Sequence, residues 1–218
     1  MAAIFDMDGL LLDTEPLWGE SMLEVAEKHG VNIRSDFFKY TTGLRINEVT
    51  AFWKERFGWT SKISSDDMAE EIVDDIIARS IRSGRVMPGI LQILEQLKHH
   101  NIKIGVATSS PARMMNTLIE HFGLMSYFQA CVSADETNIG KPHPAVFIKC
   151  AEALNEKPWH CIAFEDSING MVAAKAARMK VVVVPELGKL HKPEFGLADL
   201  VLSSMEEMNY DLFKSLID

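Results

Sequence analysis

Four short, nearly continuous apolar runs constrain this chain more than any other feature: residues 2–5, 102–107, 162–164 and 181–184. A strand with one face in water alternates apolar and polar residues. A run apolar throughout belongs to a strand covered on both faces, as in a parallel sheet. A weaker fifth run spans residues 130–133. Between the runs, apolar residues recur at helical spacing: Ile90, Ile93, Leu94 and Leu97, then Met115, Leu118, Ile119 and Phe122. Residues 144–154 and 168–177 also read as helices. Strand and helix therefore alternate from Pro88 onward, which predicts right-handed βαβ units and an α/β fold with helices on both faces of the sheet.

Residues 14–85 break that rhythm. Their apolar positions are helical throughout, as in Trp18, Met22, Val25 and Ala26, then Val49, Phe52 and Trp53, then Ile72, Val73, Ile76 and Ile77. The pattern predicts a core of residues 1–13 and 86–218 and a helical insertion of residues 14–85, with Pro88-Gly89 turning the chain back into the sheet. A length of 218 residues, awkward for one domain or for two, fits one domain carrying an insertion.

Composition removes several classes of partner. The chain has a net charge of −9 and no basic tract, which argues against nucleic acid and anionic membranes, both held by clustered Lys and Arg. No apolar run reaches the roughly 18–20 residues that span a bilayer. Asp6 interrupts the first apolar run before a signal-peptide core can form. Cys131, Cys150 and Cys161 lack metal-ligand or disulfide spacing and read as small buried side chains. A cytoplasmic protein is the expectation.

Chemistry concentrates at the ends of the strands. Asp6 and Asp8 follow the first run; alternation along an extended chain would put both carboxylates on one face, and Gly9 permits a sharp turn beyond. Thr108, Ser109 and Ser110 follow the second, with Ser110 a plausible N-cap and Pro111 a plausible first helical residue. Hydroxyls and free N–H groups at a helix start suit an anion. Lys141 stands in a proline-stiffened loop, where a solvated surface charge is the ordinary reading, and His143 reads as a loop or capping residue. Glu165 and Asp166 follow the third run; helix capping by Asp166 or Ser167 is their ordinary reading. The sharper reading is that Asp6, Asp8 and Asp166 converge on one hard cation, for which Mg²⁺ fits, with Lys141 making the site receptive to phosphate.

In this order the residues resemble the haloacid dehalogenase superfamily, over essentially the whole chain. Residues 6–15, Asp-Met-Asp-Gly-Leu-Leu-Leu-Asp-Thr-Glu, look like its first motif, and Thr108, Lys141 and Glu165-Asp166 fall where the next three are expected. The resemblance implies a Rossmann-like core with a mobile helical cap, of the subgroup holding β-phosphoglucomutase and the sugar-phosphate phosphatases. Thr42-Gly43-Leu44-Arg45 and Ser167-Ile168-Asn169-Gly170-Met171 are similar to the 2-deoxyglucose-6-phosphate/hexitol phosphatase branch.

The same resemblance implies roles. Asp6 would be the nucleophile and Asp8 the acid and base. Mg²⁺ would be held by Asp6, the Asp8 backbone carbonyl and Asp166, with Glu165 behind them. Thr108, Ser109 and Lys141 would hold the phosphoryl oxygens of a small phosphorylated metabolite, and a monomer is the usual state. Trp18 stands where the mutase carries a cap histidine, which favours hydrolysis over isomerisation. It could stack on a sugar or pack between cap helices. Arg45 could bind a hydroxyl or a second anion, or form a surface salt bridge. A silent phosphate-binding module on the same fold is the remaining alternative, and the presence of both Asp6 and Asp8 argues against it.

Overall fold

The computed structural model describes residues 1–41, 43–57, 59–186 and 192–216; Thr42 of the motif quoted above lies outside them. The chain begins with β1 (Ala2–Phe5) and then runs through α1 (Glu15–Lys28), α2 (Ile46–Phe57) and α3 (Ser65–Ser83). It continues as α4 (Ile90–His99), β2 (Lys103–Thr108), α5 (Ala112–His121), β3 (Ala130–Ser133), α6 (Ala145–Ala153), β4 (Cys161–Glu165) and α7 (Ile168–Ala176). It closes with β5 (Lys180–Val183), β6 (Leu200–Val201) and α8 (Tyr210–Ser215).

Among the described residues the six strands are all parallel, in the order β3-β2-β1-β4-β5-β6. Phe5 pairs with Val106 on one side and Phe164 on the other, so the carboxyl ends of β1, β2 and β4 finish together. Alternation along β1 divides its side chains between two cores. Ala3 and Phe5 join Ile104, Val106 and Phe164 against α4, α5 and α8; Ala2 and Ile4 join Ala163, Val181 and Val183 against α6 and α7. Helices on both faces explain why the interior of the strands is apolar on both sides.

The strand limits differ from the apolar runs by a residue or so. β2 and β5 begin at lysines, and β2 and β4 end at Thr108 and Glu165. Apolarity misses these ends because the starting lysines reach water, Thr108 lines a cleft and Glu165 is paired with a buried lysine. β6, only two residues long, carries no periodic signal at all.

Between β1 and α4 the described residues form helices and no strand. α1 and α2 both pack on α3, burying Val25, Ala26, Val49, Trp53, Ile72 and Ile76 in continuity with the first face of the sheet. The two connections run side by side: Leu12 bridges Val86, Asp13 N–H donates to the Arg85 carbonyl at 2.9 Å, and Met87 N–H donates to the Leu11 carbonyl at 2.9 Å. Pro88-Gly89 then forms the turn into α4. No described helix is long and apolar enough to cross a membrane.

Candidate active site

β1 stops at Phe5, so strand alternation does not carry through to Asp8. Asp6 extends the ladder by one bond, its N–H donating to the Phe164 carbonyl at 2.9 Å. The chain then turns at Gly9, whose φ of +75° lies in the left-handed region and whose N–H donates to the Leu12 carbonyl at 2.8 Å. The turn sends the two carboxylates to different partners.

Asp6 meets Lys141. The Lys141 ammonium lies 2.5 Å from Asp6 Oδ1 and 2.5 Å from Glu165 Oε1, and 4.8 Å from the centre of the Phe147 ring. At 2% exposure Lys141 is not the surface charge its loop suggested. Glu165 Oε2 accepts from the N–H groups of Asp166 (3.1 Å) and Ser167 (3.2 Å) and from the Ser167 hydroxyl (3.0 Å). Asp6, Glu165 and Asp166 each place a carboxylate oxygen within 4.8 Å of the others. Glu165, and not the Asp8 carboxylate, completes this acidic trio.

The electrostatics of the floor are strained. Burial pushes the Asp6 carboxyl up to about 8; Lys141 pulls against this, while Glu165 and Asp8 add to it. Burial also raises Asp166 well above the usual carboxylate range, helped by Glu165, Asp6 and Glu15. Burial works against the Lys141 ammonium, but Asp6 and Glu165 outweigh it and hold Lys141 above the usual lysine range. One ammonium thus stands among three carboxylates. An all-oxygen donor set carrying excess negative charge suits a hard divalent cation. Both Glu165 oxygens already have partners, so Asp6 and Asp166 are the residues best placed to offer oxygens.

Asp8 is held from another side. Its Oδ1 accepts from the Thr14 hydroxyl (2.7 Å) and the Trp18 indole N–H (2.9 Å), and its Oδ2 from the Ser110 hydroxyl (2.6 Å). Ser110 is therefore not the N-cap of α5. Pro111 occupies that position with no side-chain bond, and the Asp135 carboxylate accepts the Ala112 N–H at 2.9 Å instead. Thr108 Oγ1 accepts from the Ser110 N–H at 3.0 Å, which leaves its own hydrogen to donate. The capping reading holds for Ser167, whose hydroxyl accepts the Gly170 N–H at 3.0 Å, but not for Asp166. His143 Nδ1 accepts the Ala145 N–H at the start of α6, a capping role.

Many of these groups line one solvent-open cleft of about 820 Å³. Asp6, Asp8, Thr108, Ser109, Ser110, Lys141 and Asp166 form the side facing the sheet, and Trp18 stands opposite with Met22, Phe38, Leu44 and Val49. Glu165 is fully buried beneath the floor. Arg45 is not part of the lining. Its Nε donates to Glu48 Oε1 at 3.3 Å and its backbone N–H to Glu48 Oε2 at 3.1 Å, the ordinary salt bridge of a helix start.

The family model described as haloacid dehalogenase-like hydrolase matches residues 3–184. The chain belongs to the haloacid dehalogenase-like hydrolases. Hexitol phosphatase B of Escherichia coli K12 is 40% identical over 213 residues, 95% of this chain and 94% of that protein. A phosphorylated carbohydrates phosphatase of Thermotoga maritima is 32% identical over 179 residues, 81% of each chain. Among solved structures, a β-phosphoglucomutase from Clostridium difficile superposes with a TM-score of 0.85 at 26% identity, covering 99% of this chain and 96% of that one.

In this haloacid dehalogenase-like hydrolase, sequence reasoning missed Thr14 and Phe147, and it gave Gly170 no job beyond opening a helix. A Cβ on Gly170 would lie 1.8 Å from Glu165 Oε1, so α7 approaches the floor closely enough to exclude any side chain there. Gly170→Ala is expected to displace Glu165 from Lys141 and lower stability by about 2–4 kcal/mol, measured by urea unfolding. A loss below about 1 kcal/mol would show that the floor tolerates the extra methyl group.

Proposed function

We propose that this chain is a Mg²⁺-dependent phosphatase that hydrolyses small sugar or sugar-alcohol monophosphates through an aspartyl-phosphate on Asp6. The observation that carries the reading is a division of labour between two aspartates in one cleft. Asp6 lies against buried Lys141, while Asp8, two residues on, is held separately by hydrogen-bond donors. The names of the two phosphatase relatives support the reaction and the substrate class.

Asp6 attacks phosphorus as the ester P–O bond breaks, and Asp8 gives the departing oxygen its proton. Asp8 then takes a proton from the water that attacks the aspartyl-phosphate, which frees Asp6 and inorganic phosphate. The Thr108 hydroxyl, the Ser109 backbone N–H and the Lys141 ammonium hold the phosphoryl oxygens. Asp6, Asp166 and the Asp8 backbone carbonyl would hold Mg²⁺, with Glu165 supporting them from behind. Bound there, the ion would supply positive charge that draws the phosphate in and offsets its repulsion from the carboxylates. Residues 14–85 act as the cap, whose apolar wall over the cleft excludes water from the reacting groups.

The enzyme is a cytoplasmic phosphoric monoester hydrolase. Burial pushes the Cys131 and Cys161 thiols up to about 11, which suits unreactive cysteines in a reducing compartment. It acts as a monomer, with both walls of the cleft drawn from one chain.

The test incubates the protein with Mg²⁺ and a panel of sugar and sugar-alcohol phosphates while following inorganic phosphate and product identity. Phosphate release that falls at least about 100-fold with EDTA is expected. The similarity to a β-phosphoglucomutase defines the rival outcome: β-glucose 1-phosphate converted to glucose 6-phosphate without phosphate release. No turnover of any ester, with Mg²⁺ still bound, would leave a phosphate-binding module.

A further inference from the structure

We infer that Trp18 is a positioning residue for Asp8: its indole N–H aims the acid at the leaving oxygen and does not serve as a platform for the sugar. The inference rests on the phosphatase reading above and assigns Trp18 a role within it.

The argument begins with the start of α1. Thr14 occupies the N-cap position, yet its side chain makes no capping bond. A threonine there ordinarily accepts one of the free N–H groups of the first turn, and forgoing that bond costs about 1 kcal/mol. Its hydroxyl donates instead to Asp8 Oδ1 at 2.7 Å. Trp18 follows four residues later, its N–H bonded to the Thr14 carbonyl at 2.9 Å, so the two side chains lie one turn apart on the same face. The Trp18 indole then donates to the same Oδ1 at 2.9 Å. Two successive turns of one helix converge on a single carboxylate oxygen.

The donor chemistry decides which Asp8 oxygen works. An indole N–H only donates. Oδ1 therefore accepts two hydrogen bonds, one from Trp18 in α1 and one from Thr14 just before it, which leaves Oδ2 to carry the acid proton. Oδ2 faces Ser110, whose hydroxyl can rotate to donate or to accept. In the first half-reaction the Asp6 carboxylate forms a bond to phosphorus, the ester P–O bond breaks, and its electron pair stays on the departing oxygen. That oxygen takes the proton from Asp8 Oδ2, leaving Asp8 ionised with Oδ1 still bonded to Trp18 and Thr14. Because α1 comes from the insertion and Asp8 from the loop after β1, the Trp18 bond ties the helix to the acid across the cleft.

A stacking platform or a purely structural tryptophan makes a different prediction, because neither depends on how badly the leaving oxygen needs a proton. The test compares wild type with Trp18→Phe on phenyl phosphate and p-nitrophenyl phosphate, with Mg²⁺ present. These esters present nearly the same ring to the cleft but differ in the basicity of the departing phenolate. kcat/KM reports only the steps through its departure. Trp18→Phe keeps an aromatic ring and removes the N–H. It is expected to lower kcat/KM about 10-fold or more for phenyl phosphate, whose leaving group needs the proton, and less than about 3-fold for p-nitrophenyl phosphate. Both rates come from one preparation, so a partly unfolded variant cannot create the difference between them. Equal losses on the two esters, or no loss on either, would overturn the inference while leaving the phosphatase reading intact. A wild-type enzyme that releases phosphate from neither of these esters nor the sugar phosphates would overturn the phosphatase reading and this inference with it.

Discussion

Asp6→Asn is expected to abolish phosphate release, by at least about 10⁴-fold, while leaving the chain folded. An amide has the shape of the carboxylate but is a far poorer nucleophile, so no aspartyl-phosphate forms. Stability should move the other way. Burial and the neighbouring carboxylates raise the folded Asp6 from 3.8 to about 8 despite Lys141. A carboxyl raised on folding binds its proton more tightly in the native state. It therefore contributes stability below about pH 4 that is lost as pH rises toward 8. Metal-free wild type should weaken across that window, and Asp6→Asn, lacking the group, should weaken less. Urea unfolding at several pH values measures the divergence, and Mg²⁺ should shrink it by balancing the wild-type charge. Parallel pH profiles in the absence of metal would show that Asp6 is not under this strain.

Lys141→Met should damage both folding and catalysis. The ammonium touches Asp6 and Glu165 from a position 2% exposed, and Phe147 closes over it. Methionine keeps most of the stem and the apolar contact but removes the charge. Glu165, with no exposure to water, then loses the cation that offsets its burial. Breaking a buried pair from one side costs about 3–5 kcal/mol. Because Asp6 and Glu165 hold Lys141 above its ordinary range, its contribution is fully present at neutral pH and is lost only in strong alkali. Activity should fall by a further 10²–10³-fold or so in the protein that remains folded, as expected on losing one donor to the transferring phosphoryl group. Saturating Mg²⁺ should recover part of the stability. A variant within about 1 kcal/mol of wild type would mean that the floor carboxyls simply take up protons.

Local pattern made much of this protein legible. Ala2–Phe5 reads as a strand because all four residues are apolar, and it is buried on both sides. The chemical residues follow from position: Asp6, Thr108 and Glu165 stand at strand ends, where parallel α/β sheets form their cleft. Partnerships were less legible. Asp8 and Ser110 are 102 residues apart in sequence, and only the alignment of β1 with β2 brings them to 2.6 Å. Arg45 shows the same limit. Its place in a recognisable motif left a ligand and a surface salt bridge both open, and the structure pairs it with Glu48, one helical turn away.

Sequence alone therefore determined the layers of this protein, the helical character of residues 14–85 and the identity of most groups on the cleft floor. These follow from periodicity and residue type, which act over a few neighbouring positions. Tertiary structure alone decided which way each polar group points: Asp6 and Asp8 apart, Lys141 inward, Ser110 to Asp8 and the Trp18 indole to Oδ1. A hydrogen bond depends on distance and direction at the scale of tenths of an ångström. Such precision comes from strand register and helix placement summed over the whole fold, and no short stretch of sequence contains it.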